Sequence, residues 1–197
     1  MSHPTARRPV HRVVPAVAAL LLGTLVLPQQ RDAAPVPAAR AADAALLDCA
    51  IRTAPGRPVT MTPAVTADAR TIGVRATMRL TDCRASTRAG RHVRTGTAHI
   101  DGRVRADCSS VTPLGGKATV TWRDASGHRV GTSTIRAVRR TLHTSNVSDG
   151  LLNGKVTSGL MSGAKVRGSI TPTSRISRCT ESGLRSLSGA GRIALYR

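Results

Sequence analysis

From Gly73 onward the hydrophobic residues of this chain recur at every second position, and that period restricts it to β structure. Over residues 73–81, Val74, Ala76, Met78 and Leu80 share one face, and Arg75, Thr77, Arg79 and Thr81 share the other. The alternation returns downstream. Val104, Ala106 and Cys108 oppose Arg103, Arg105 and Asp107; Ala118, Val120 and Trp122 oppose Lys117, Thr119, Thr121 and Arg123; Ala164, Val166, Gly168 and Ile170 oppose Lys165, Arg167, Ser169 and Thr171. Segments of this kind are antiparallel strands with one wet face. Asp101-Gly102, Ser126-Gly127, Asp149-Gly150 and Asn153-Gly154 offer the positive φ angles of tight turns between them, and Gly115-Gly116 opens a further strand. No window from residue 46 on carries an apolar stripe of helical period. Eight or nine short strands in one domain predict an all-β fold, an antiparallel β-sandwich with a β-barrel as the alternative.

The N-terminal residues are different in kind. A basic stub holding Arg7, Arg8 and Arg12 precedes an apolar run over residues 13–27, and Val36-Pro37-Ala38 and Ala39-Arg40-Ala41 both present small residues where a signal peptidase cuts. Residues 1–41 are therefore expected to be a signal peptide with an Ala/Pro-rich leader, and residues 42–197 a single secreted all-β domain. The run falls short of the roughly 20 residues a bilayer span needs and is bracketed by Pro15 and Pro28, which disfavours a stable membrane anchor. Pro9 and His11 fit a twin-arginine signal poorly, and Cys49, the first cysteine, lies too far past the run to carry a lipid.

Export places Cys49, Cys83, Cys108 and Cys179 in an oxidising compartment, where an even number of cysteines reads as two disulfides. Four cysteines allow three pairings. The expected one is Cys49 with Cys83, tying the opening strand to the third, and Cys108 with Cys179, tying the middle of the domain to its late part. A zinc site is disfavoured because no Cys-x-x-Cys pair is present, and no metal or small-molecule cofactor is expected.

The chain's formal charge is +20, and 25 of its 30 basic but 9 of its 10 acidic residues lie beyond residue 41, leaving that part near +16. Such a charge attracts polyanions: nucleic acid, anionic lipid or phosphate-rich wall polymers. Two origins compete for it, a binding surface and a coding bias that inflates arginine and alanine. They predict different arrangements, since a binding surface gathers its cations on one face and bias scatters them. Arg75, Arg79, Arg103 and Arg105, at outward strand positions, are the candidate polyanion-binding residues. Trp122 and Tyr196 are the only aromatics, so the stacking platforms of single-strand and sugar binders are missing and any binding must rely on charge.

Catalytic motifs fail one by one. Gly159-Leu-Met-Ser162-Gly163 lacks the spacing of a nucleophile elbow, and Gly150 to Lys155 falls one residue short of a phosphate loop. Gly189-Ala-Gly191-Arg-Ile-Ala194 mimics a dinucleotide fingerprint inside a strand pattern. Glu181 is the only glutamate, and His92, His99, His128 and His143 sit at no shared metal-binding spacing. A secreted ribonuclease pairs a Glu base with a His acid and an arginine clamp, so Glu181, one of these histidines and Arg178 form the one arguable catalytic set.

The stretches at 118–135 (ATVTWRDASGHRVGTSTI) and 154–170 (GKVTSGLMSGAKVRGSI), Cys179, and SLSGAGRIAL at 186–195 resemble a group of small secreted β-rich proteins of streptomycetes and related actinobacteria. The resemblance covers residues 108–195 and implies export, β architecture and paired cysteines, but no activity. The chain departs from the group in carrying arginine at many outward strand positions. The expected function is that of a secreted β-rich binding or structural protein, not an enzyme, whose partners are anionic polymers such as cell-wall polymers or extracellular nucleic acid. The alternatives are a secreted hydrolase of RNA or another phosphodiester, and an inhibitor of extracellular proteases, for which no exposed rigid loop announces itself.

Overall fold

Eleven strands, two one-turn α-helices and a short 3-10 turn at Arg88–Gly90 form among the described residues, 45–144 and 146–197 of a computed structural model. The expected leader, residues 1–41, lies outside them. In chain order the strands are β1 (Leu47–Thr53), β2 (Val59–Val65), β3 (Arg70–Ala85), β4 (Thr95–Ala106), β5 (Ser110–Arg123), β6 (Arg129–Ala137) and β7 (Leu142–His143), then β8 (Gly154–Gly159), β9 (Lys165–Pro172), β10 (Leu184–Leu187) and β11 (Gly189–Tyr196). The helices are α1 (Ser148–Leu151), between β7 and β8, and α2 (Arg178–Glu181), before β10. Every strand pairing is antiparallel.

Eight strands close a ring in the order β1-β11-β9-β8-β6-β5-β4-β3, and β3 pairs back onto β1. Beyond β3 the sheet continues through β2 to β10, and β7 joins the start of β5. The all-β class is as expected, and of the two closures it is the barrel rather than the favoured sandwich that forms. Strand length is the physical reason. β3, β4 and β5 run 16, 12 and 14 residues, and long strands that carry bulges coil around a core instead of dividing into two flat sheets.

Those long strands absorb one expected turn and one expected strand start. Asp101-Gly102 lies inside β4, where Gly102 leaves room for Leu151 of α1, and Gly115-Gly116 lies inside β5 at a bulge that makes Leu114 the extra residue against Arg103 and Val104. Asp149-Gly150 falls within α1. Ser126-Gly127 is a tight hairpin turn as expected, with Gly127 at φ 82°.

The interior is filled by small aliphatics and one indole. Trp122 is fully buried near the end of β5, donating its Nε1–H to Ser133 Oγ at 2.8 Å, and the Ser133 hydroxyl in turn donates to the Leu160 carbonyl at 2.6 Å. The indole ring lies over Gly96 of β4, where an added Cβ would stand 2.9 Å from Cε3. At the opposite end of β5, Gly150 of α1 packs on Val111 and Pro113, and Leu151 and Leu152 are buried. Both disulfides form as expected. Cys49–Cys83 joins β1 to β3, and Cys108–Cys179 joins the β4–β5 turn to α2.

The ring has one thin seam. β8 and β9 pair only at Gly154↔Val166 and Lys155↔Lys165, which leaves the rest of that β9 edge without strand partners. Side chains around α1 take the vacant positions. Asn153 donates to the Gly168 carbonyl at 3.0 Å, Asn146 donates to the Ile170 carbonyl at 2.7 Å, and Asp149 Oδ1 accepts the Ile170 N–H at 3.0 Å. Thr144 Oγ1 donates to the other Asp149 oxygen at 2.9 Å. Burial nevertheless raises the Asp149 carboxyl above the ordinary aspartate range, with these hydrogen bonds opposing the shift only in part.

Two stability experiments follow from this packing. Gly96→Ala should cost about 1–3 kcal/mol by overpacking the pinned indole, read from the denaturant midpoint; an unchanged midpoint would show that Trp122 is free to give way. A carboxyl whose folded-state value is raised stabilises the fold at pH below the ordinary aspartate value and loses that contribution as pH rises through the raised value. Asp149→Asn keeps an acceptor for Ile170 and should therefore flatten the decline of stability just above the ordinary aspartate range, measured by thermal unfolding against pH. An equally steep decline in the variant would assign it to other groups.

Candidate functional site

Barrel closure converts outward strand positions into rows that run around the molecule, each step being a direct cross-strand partner. One row reads Arg75 (β3), Asp101 (β4), Lys117 (β5), Arg136 (β6), Lys155 (β8) and Lys165 (β9). All six side chains are exposed. Five cations against one acid thus line up over five strand intervals, roughly 24 Å at about 4.8 Å per interval. The row includes Lys117, Lys155 and Lys165, the only three lysines of the chain. On β11 the partner of Lys165 is Tyr196, with the Arg167 guanidinium 5.6 Å from its ring centroid.

Asp101 offsets little of this charge. It accepts from Arg75 Nε at 3.0 Å, but the two side chains are 82% and 68% exposed, where an ion pair contributes weakly. From Lys117 to Lys165 no acid intervenes. Cations placed directly opposite one another on neighbouring strands repel, so the Lys117/Arg136, Arg136/Lys155 and Lys155/Lys165 pairs each work against the fold.

Concavities lie at both ends of the row. At the β3 end a groove of about 560 Å³ is lined by Arg57, Arg75, His99, Asp101 and Lys117 with Thr60, Thr77 and Thr119. Arg57 reaches it because the chain turns back after β1, Ala54 and Arg57 forming an isolated bridge with an N–H···O bond of 3.0 Å. His99 Nδ1 lies 3.3 Å from Thr77 Oγ1 across the β3–β4 pair. At the β9 end a smaller hollow of about 190 Å³ sets Arg140, Lys165 and Arg167 around Val138, Leu142 and Val166.

The four arginines singled out from the sequence all project from the outer face of β3 and β4. Only Arg75 belongs to the row. Arg103 lies beside it, opposite Gly73 and Gly115, and shares with Arg75 a second groove of about 370 Å³. Arg79 faces Thr97 and Arg52, and Arg105 faces Thr71 and Thr112. Sequence reasoning therefore found the face but missed Arg57, His99, Arg136, Lys155 and Lys165 as parts of one arrangement. Their alignment depends on a register that is shifted three times from β4 to β8, at Arg103/Val104, Trp122/Arg123 and Thr134/Ile135.

The arguable catalytic set does not assemble. Glu181 sits exposed on α2 and makes no hydrogen bond or ion pair among the described residues, His99 pairs with Thr77, and His128 lies 3.7 Å from Asp124 in the β5–β6 turn. Among the described residues no group of three His, Cys, Asp or Glu side chains converges as a metal site would require. Asp107, whose carboxyl lies below the ordinary aspartate range because the Ser109 N–H and the Ser110 and Ser109 hydroxyls donate to it, does no more than hold the β4–β5 turn. The two disulfides fit an oxidising compartment, and no described helix is long and apolar enough to cross a membrane. Compared with known proteins, the chain matches no family model, no curated protein and no solved structure.

Proposed function

We propose that this is a secreted, non-enzymatic β-barrel that binds anionic polymers across the cationic row from Arg75 to Lys165. The leader pattern and the disulfides support secretion. The observation that carries the binding reading is the row itself, in which three successive like-charged cross-strand pairs persist at the expense of stability with no acid between Lys117 and Lys165. A polyanion laid across the strands relieves that repulsion and releases its counterions. Coding bias accounts for abundant arginine; it does not account for every lysine of the chain falling in one row. With a single tyrosine beside the row and no stacking platform, recognition is by charge spacing and not by base or sugar identity.

The triple variant Lys117→Gln, Lys155→Gln, Lys165→Gln tests this reading on a single-stranded oligonucleotide. The slope of log affinity against log salt should fall by about 2, since each lost phosphate contact removes about 0.7. Its unfolding midpoint should hold or rise, because repulsive pairs are removed. A control removing Arg88, Arg139 and Arg197, exposed cations outside the row, should change the slope far less. Equal slopes for the two triple variants would reduce the row to generic charge. Asp101→Asn should act in the opposite direction and tighten binding.

A further inference from the structure

A second concentration of arginine sits where α2 turns into β10, two strand pairings beyond the Arg75 end of the cationic row, through Ser186↔Thr60 and Thr60↔Arg75. Ser174, Arg175, Arg178, Ser182, Arg185 and Ser186 surround a hollow of about 450 Å³. No carboxylate lines it. None of the three guanidiniums pairs with an acid or donates to any protein acceptor among the described residues, whereas Arg75 and Arg192 elsewhere are matched to Asp101 and Asp48. Glu181 is on the same short helix, but it is exposed and outside the lining.

The frame behind these side chains is stiff. The Cys108–Cys179 disulfide pins α2 to the β4–β5 turn, and the helix closes through Ser182 N–H to the Arg178 carbonyl at 3.0 Å. Gly183 then takes φ +79°, tight against Ala64, and delivers the chain into β10 against β2. Ser174 Oγ accepts the Ser188 N–H at 3.1 Å, which leaves its own proton to donate into the hollow. Three planar forks and several hydroxyls around one uncompensated concavity match a compact oxyanion that accepts many hydrogen bonds.

We propose that this hollow binds a terminal phosphate monoester, with Arg175, Arg178 and Arg185 holding its oxygens and the serine hydroxyls completing the shell. The dianion suits three unpaired cations better than an internal phosphodiester, which carries one charge and two ester oxygens that accept weakly. The hollow shares no lining residue with the cationic row, which takes the length of a polymer and needs no end group.

The test uses the purified, oxidised protein and two thymidine dinucleotides, one with a 5′-phosphate and one without, measured by calorimetry at a single salt concentration. The phosphorylated form should bind about tenfold or more tightly, and inorganic phosphate should compete with it. Arg178→Gln with Arg185→Gln should erase the difference, whereas the triple lysine variant should retain it. Near-ultraviolet circular dichroism of Trp122 verifies that the arginine variant is folded; should it not be, Arg175→Gln alone must reduce the preference. Equal binding of the two dinucleotides, or a preference that survives in the folded arginine variants, would overturn the proposal. A preference present in the wild type and lost only with the lysines would place the end group on the row instead.

Discussion

β1 hydrogen-bonds to β11 along one edge and to β3 along the other, and that double pairing turns an open sheet into a ring. Its inward residues Leu47, Cys49 and Ile51 are almost entirely buried, so the strand closes the barrel and fills it at once. Cys49–Cys83 fixes the closure covalently across a sequence separation of 34, a link that on chain-entropy grounds contributes about 2–4 kcal/mol. A core with no phenylalanine has little surplus burial, which gives the two bridges a larger share of the stability than they would have in an aromatic-rich domain. Once the ring is closed, side chains that merely alternate in sequence acquire neighbours all the way round.

The outer surface follows from that closure. Register fixes which residues stand side by side, and in one row it sets five cations against a single acid. Stability alone would favour opposite charges at such cross-strand positions, as at Arg75 and Asp101, and would not retain three repulsive pairs in succession. The same logic separates the row from the α2–β10 hollow. There the local frame holds the arginines around a concavity that no carboxylate lines, and strand register does not align them.

Much of the fold was legible in the sequence, and the reasons differ element by element. The period-two alternation of residues 73–81 forms the centre of β3 with the inward and outward faces as read, and of the three pairings four cysteines allow, the expected one forms. Asp101-Gly102 misled because a turn-forming pair also serves inside a long strand when the glycine makes room for a side chain, here Leu151. α1 left no signal, since four residues cannot display a helical period, and its role rests on Asn146, Asp149 and Asn153 capping the bare edge of β9. Arg75 and Lys117 were visibly outward, but their kinship with Arg136, Lys155 and Lys165 was not, because it depends on how bulges offset strands far apart in the chain.

Only three lysines exist and all three lie in the row, so amine modification reads the surface directly. Mass spectrometry of the folded protein after brief acylation, with and without a saturating single-stranded oligonucleotide, reports each lysine separately. Lys117, Lys155 and Lys165 should lose reactivity together, at one ligand concentration, and regain it together as salt rises. Undiminished reactivity of Lys155 and Lys165 at saturation would contradict a continuous binding row.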